Sequence, residues 1–258
     1  MINIDRLTLI RGEKTLFERL SLQIEQGSVT AILGANGRGK TTLLRLIMGA
    51  IKPTSGQISV AANIGYVPQQ ENAVFPYSVR TMVMLGRVRH MGWFASPNRR
   101  DSEVTQQCLD CFGLSPLADK PVNQLSGGER QLVSIARALA SEPEILILDE
   151  PASALDLANQ DKVLSGLRDL SARLEMTVVL TTHSPLHALH IADRTLLLYP
   201  QTDGEDTQVA EQTKGVAFGL TREVVTDKNL TQLYQLPVHV DKLDFAGKTR
   251  DIFMPLFN

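Results

Sequence analysis

Residues 29–33 (Val-Thr-Ala-Ile-Leu) run directly into Gly34-Ala35-Asn36-Gly37-Arg38-Gly39-Lys40-Thr41-Thr42. A short apolar run of this kind is expected of a strand buried on both faces, as in a parallel sheet flanked by helices. Residues 41–48 then take helical spacing, with Leu43, Leu44 and Ile47 on one side. Strand, glycine loop and helix supply the context that the pattern G-x-x-x-x-G-K-[ST] requires. The residue types follow from the ligand. Backbone N–H groups can surround a polyanionic triphosphate only where side chains do not intervene, and glycines permit both close approach and positive φ. The following helix aims its N-terminal dipole at the phosphates. Gly34, Asn36, Gly37 and Gly39 form the cradle. Lys40 is expected to neutralise the β- and γ-phosphates, the Thr41 hydroxyl to ligate Mg²⁺, and Thr42 to support the α-phosphate end.

A second apolar strand, residues 145–148, ends in Asp149-Glu150. An unpartnered carboxylate at such a place is costly. The economical partner for Asp149 is the hydration shell of Mg²⁺, and Glu150 is assigned to polarising the attacking water. With Pro151 next, both acids are also suited to capping the following element.

Residues 2–10 and 20–25 alternate apolar and polar side chains, the pattern of an antiparallel sheet with one wet face. Another strand is expected at 57–61. Residues 80–85 and 102–112 read as helices separated by Gly92, Pro97 and Asn98, with Trp93 and Phe94 in the linker. A helix at 129–140, buried strands at 145–148 and 177–180 around a helix at 157–174, and a strand at 196–199 follow. The expected organisation is a core of residues 1–76 and 126–200, a helical subdomain of residues 77–125, and a small C-terminal appendix, 201–258, of weak periodicity.

With 258 residues, 43% of them hydrophobic, the chain can bury one large core or two modest ones. A net charge of −2 offers no basic excess, so no nucleic-acid partner is expected. Neither a leader pattern nor an apolar run of roughly 18 residues is visible, which suggests a cytoplasmic protein able to dock on a membrane. Cys108 and Cys111 lie three apart on a predicted helix, and two thiols do not complete a tetrahedral zinc site. His183, His187 and His190 lack the carboxylate of H-E-x-x-H spacing, and Met82, Met84 and Met91 read as packing residues.

Between the glycine loop and the Asp-Glu strand stands Leu125-Ser126-Gly127-Gly128-Glu129. That order resembles the ATP-binding-cassette (ABC) ATPases over roughly residues 1–200. The resemblance implies an α/β P-loop NTPase with a RecA-like core, an antiparallel β subdomain and a helical insertion. It also implies that Ser126, Gly127 and Gly128 contact the γ-phosphate of ATP held by an opposite subunit, so that two ATP sites need a head-to-tail homodimer. Gln69 matches the glutamine that senses Mg²⁺ and links core to insertion, Asp156 closes the 153–156 D-loop, and His183 matches the switch histidine at the γ-phosphate. One place departs from the family. The aromatic that stacks on adenine falls at Ile10 or Arg11. Arg11 can lay its guanidinium on the base, or Phe17 or solvent takes the role.

One cassette without a membrane span resembles a separate-subunit transporter ATPase. Tyr77-Ser78-Val79-Arg80, Met84-Leu85-Gly86-Arg87 and residues 153–160 resemble the metal-chelate importers, which handle iron-siderophores, haem, cobalamin or molybdate/tungstate, with the molybdate/tungstate type nearest. Zinc and manganese importers are competitors. Two membrane permease subunits and, indirectly, a periplasmic or surface substrate-binding protein are the implied partners. A groove near residues 71–78 would drive the coupling helix, at the cytoplasmic face of the inner membrane. The alternatives are the ATPase of a separate-subunit exporter or lipid-trafficking system, and a non-catalytic nucleotide-gated scaffold.

Overall fold

β1 (Ile2–Arg11) buries Ile2 and Ile4, then Leu7 and Leu9, so its alternation slips by one residue in the middle. The slip is a β-bulge. Register shifts there against both neighbours, and Arg6 takes φ 44°. β1 pairs antiparallel with β2 (Lys14–Ile24) on one side and with β4 (Ser55–Val60) on the other. Gly56 of β4 lies so close to the Arg6 carbonyl that a Cβ would stand 2.3 Å from its oxygen. Between these strands in the chain come β3 (Val29–Gly34), buried at every residue, and α1 (Lys40–Ile47).

This computed structural model describes residues 1–69, 76–92, 95–153, 155–200, 215–245 and 247–256. Trp93, Phe94, Ala154, the loop at 201–207 and most of the groove near 71–78 lie outside them. Contacts divide the chain into two units, Met1–Ala61 with Val179–Asn258, and Ala62–Val178.

In the second unit, β5 (Ile64–Val67) pairs parallel with β6 (Ile145–Leu148). Between them in sequence come α2 (Val79–Met84), α3 (Arg99–Cys111) and α4 (Gly127–Ala140), which pack on one another; α5 (Leu157–Leu174) follows β6. α3 starts earlier than its apolar spacing indicates because Asn98 and Asp101 form a capping box, and α4 starts early for the same reason at Ser126 and Glu129. Gly86, in the 3₁₀ turn Leu85–His90, lies against α4, where a Cβ would meet the Arg137 carbonyl oxygen at 2.1 Å. That approach buries Arg87, whose Nε donates to Asp101 Oδ1 (3.0 Å) and whose Nη1 donates to Glu142 Oε2 and the Ala140 carbonyl (2.7 Å each). Cys108 is buried and its thiol is pushed up to about 12, and partial desolvation raises the more exposed Cys111 as well, so neither is a ready thiolate.

β7 (Thr177–Thr182) crosses the boundary between the units. In the first unit α6 (Pro185–Ile191) leads to β8 (Arg194–Leu198), which pairs parallel with β3 and antiparallel with β9 (Val216–Leu220). The sheet therefore continues past residue 200. α7 (Thr221–Val224), α8 (Asp227–Tyr234) and the hairpin of β10 (Val238–Phe245) and β11 (Lys248–Pro255) complete the tail. Leu230, Leu233 and Val238 join Leu33, Leu197 and Tyr199 in one buried cluster, with Val240 and Phe253 packed on it. No helix among the described residues is long and apolar enough to cross a membrane.

Gly86→Ala should destabilise the chain by about 1–3 kcal/mol, because the added methyl must push the turn off α4. Urea unfolding checks this, and an unchanged midpoint would show that the contact is not tight.

Candidate functional site

The loop from β3 into α1 is shaped by its glycines. Gly34 lies opposite Leu198 of β8, where a Cβ would be 3.1 Å from the Leu198 carbonyl oxygen. Gly37 and Gly39 take φ 78° and 90°, a region that side-chain-bearing residues enter at a cost. Asn36 and Gly37 are exposed, Thr41 and Thr42 half-buried. Lys40 is buried, and its Nζ donates to the carbonyls of Gly34 (2.8 Å) and Ala35 (3.4 Å), which hold the ammonium across the loop. An open cavity of about 440 Å³ borders residues 35–38, between Lys14 and Leu16 of β2 and the end of α8.

Phe17 does not serve the base. It is buried on β2 opposite Leu9, and its ring lies against Gly39, 3.0 Å from where a Cβ would be. It is a prop beneath the loop, which removes it from the candidates for adenine. Arg11 and Ile10 are exposed at the end of β1.

Beyond β7, His183 is exposed. Thr182 Oγ1 accepts from the Ser184 N–H (3.1 Å) and bonds to His187 Nδ1 (3.1 Å), folding the turn before α6. Burial, with His183 and His190 nearby, pushes His187 down to about 4. The His183 carbonyl accepts from the Tyr234 hydroxyl at 2.7 Å. Sequence reasoning missed Tyr234; a lone tyrosine in a weakly periodic tail carries no signal.

In the other unit, β5 and β6 pair in register Val67↔Leu148, and the Asp149 N–H donates to the Val67 carbonyl at 2.9 Å. The two strands therefore release the chain at the same level, which brings Gln69 to Glu150. Gln69 Nε2 donates to Glu150 Oε2 at 3.2 Å. Asp149 is buried. Glu150 takes φ 50°, and its carbonyl accepts from the Ser153 N–H (3.2 Å) and Oγ (3.0 Å), which fasten the left-handed turn.

The N-terminus of α4 carries Ser126 and Gly127 exposed. Ser126 Oγ accepts from the Glu129 N–H, and Glu129 Oε2 accepts from the Ser126 N–H (2.7 Å), which holds the Glu129 carboxyl below its ordinary range. Gly128 faces α5, with Leu155 3.2 Å and Asn159 3.7 Å from its Cβ position. Asp156 caps α5, accepting from the Asn159 N–H (2.8 Å) and Nδ2 (3.0 Å). The signature turn and the D-loop thus meet at Leu155, with Asn159 beside it.

A family model described as ABC transporter matches residues 17–153. The molybdate import ATP-binding protein of Haemophilus influenzae is 43% identical, over 96% of this chain and 92% of that protein. A solved structure described as a metal-chelate type ABC transporter in an inward-facing conformation superposes with a TM-score of 0.89 at 41% identity, covering 99% of this chain and 97% of that one. A dimeric ATP-binding cassette in a post-hydrolysis state, bound to ADP and Pi, gives a TM-score of 0.68 at 29% identity, over 76% and 94% of the two chains.

His187 is neutral in the folded chain at pH values where the unfolded chain, with its ordinary value of 6.5, takes up a proton. Its contribution to stability is therefore full above that value and is lost as the pH falls towards about 4. In His187→Asn this part of the slope should vanish. Urea midpoints at about pH 7 and about pH 5 check it, and an equal drop in both chains would refute the assignment.

Proposed function

This chain belongs to the ATP-binding-cassette transporter family and is an ATPase with the P-loop NTPase fold; from that premise we propose that it powers import of metal chelates or oxyanions across a membrane. The observation that carries the reading is likeness along nearly the whole chain, tail included, to a molybdate import ATPase and a metal-chelate type transporter. In this reading two copies assemble head to tail on two permease subunits at the cytoplasmic face of the inner membrane. The cargo meets the permease and a periplasmic or surface binding protein.

The nucleotide's triphosphate lies in the loop of residues 34–39, with Lys40 across the β- and γ-phosphates, Thr42 at the α-phosphate end, and Arg11 laid over the base. Mg²⁺, when bound, would supply neutralisation of the triphosphate's negative charge. The Thr41 hydroxyl, the Gln69 amide oxygen and the Asp149 carboxylate are the hard oxygen donors that would hold it. One carboxylate with a hydroxyl and an amide oxygen is a sparse donor set, which suits an ion that keeps waters and substrate phosphate oxygens as ligands. Glu150 takes the proton of the attacking water, its carboxylate steadied by the Gln69 amide. His183 contacts the γ-phosphate. Ser126, Gly127 and Gly128 close on the γ-phosphate held by the partner subunit, with backbone N–H groups of a capped helix facing an anion. Asp156 acts through the turn that it caps.

Reconstituted in lipid with its permease, the ATPase should be stimulated several-fold by binding protein loaded with one cargo from a panel of ferric chelate, haem, cobalamin, molybdate and tungstate. That cargo should accumulate on the side to which the binding protein does not bind. Hydrolysis indifferent to every loaded form, or cargo moving the other way, would overturn the import reading and leave the ATPase standing.

A further inference from the structure

The tail of the chain reaches the turn after β7 through the side chain of Tyr234. Tyr234, the last residue of α8, donates its hydroxyl to the His183 carbonyl at 2.7 Å. Its ring stands 5.8 Å from that of Phe253 on β11, tilted by 55°, and packs against the cluster built on Leu230, Leu233 and Val238. The place of the phenol oxygen is therefore set by the docking of α8 and the β10–β11 hairpin. Burial pushes the phenol well above its ordinary range, so it stays a protonated donor at any working pH. The same residue lines the cavity beside Asn36 and Gly37. Within this unit, Tyr234 thus touches the turn after β7 and borders the phosphate loop.

We propose that Tyr234 is a positioning residue for His183, clamping the main chain of the switch turn so that the imidazole is presented to the γ-phosphate. The inference rests on the assignment of His183 to the γ-phosphate. Thr182, Ser184 and His187 tie the turn to itself and to α6, whereas the phenol ties the His183 main chain to the tail. A main-chain clamp of this kind fixes where the side chain starts without touching the nucleotide. Its loss should slow the step that needs the imidazole and leave ground-state binding alone. It also links the seating of the C-terminal hairpin to turnover.

Tyr234→Phe, His183→Ala and the double variant of the full chain, read by steady-state and single-turnover ATP hydrolysis, test this. Tyr234→Phe should lower kcat roughly five- to tenfold, leave KM for ATP within about twofold, and lower the melting temperature by no more than about 5 °C, as expected for one hydrogen bond lost from the folded chain. In the His183→Ala background the same change should have no further effect. Wild-type kcat in Tyr234→Phe while His183→Ala is slow would overturn the Tyr234 inference alone. A loss carried by KM, or one that multiplies with His183→Ala, would overturn it too, because the phenol would then act independently of His183. A His183→Ala chain that turns over at the wild-type rate would overturn the His183 assignment, and the inference with it.

Discussion

Parallel strand pairing decides where the chemistry stands. With Val67 opposite Leu148, β5 and β6 end level, and two residues later Gln69 and Glu150 are in hydrogen-bond reach. A slip of one residue would separate them and turn each side chain to the other face. β3 and β8 set a similar constraint, because Gly34 faces Leu198 with little room for a Cβ just where the phosphate loop leaves the sheet. β7 ends one residue before His183. Within each unit the residues singled out in the sequence for the phosphates or the attacking water, apart from the signature turn, follow the carboxyl end of their own strand.

Such placements use backbone conformations that cost energy, and the neighbouring groups show how they are held. Glu150 in the left-handed region costs about 1–2 kcal/mol. Two hydrogen bonds from Ser153 to its carbonyl keep the turn closed and fix the main chain from which the carboxylate springs. Gly39 answers the same problem by having no side chain, and the space thus left is filled by the Phe17 ring from β2. At α4 the capping box of Ser126 and Glu129 fixes the helix start and leaves Ser126 and Gly127 exposed. Preorganisation of this sort makes electrostatic stabilisation of a transferring phosphoryl group effective.

Much of this was legible in the sequence where a local rule carried it. The glycine loop, the buried runs at 29–33 and 145–148, and the helix at 157–174 each depend on spacing within a few residues, and each stands where that spacing puts it. α3 and α4 start two or three residues before their apolar spacing because a start is set by polar capping boxes, Asn98 with Asp101 and Ser126 with Glu129, which carry no periodicity. Phe17 as a prop and Tyr234 as a clamp were not legible, since both depend on contacts between distant segments. The same holds for β9, whose role as a sheet strand is defined by β8.

The claim that Glu150 activates water for hydrolysis of bound ATP is tested most directly by Glu150→Gln, with equilibrium ATP binding and single-turnover hydrolysis measured on the same preparation. The account predicts ATP binding within about threefold of wild type, hydrolysis slowed by about a hundredfold or more, and an ATP-dependent dimer on a sizing column. Hydrolysis at the wild-type rate by a chain that binds ATP normally would contradict it and remove Glu150 from the chemistry.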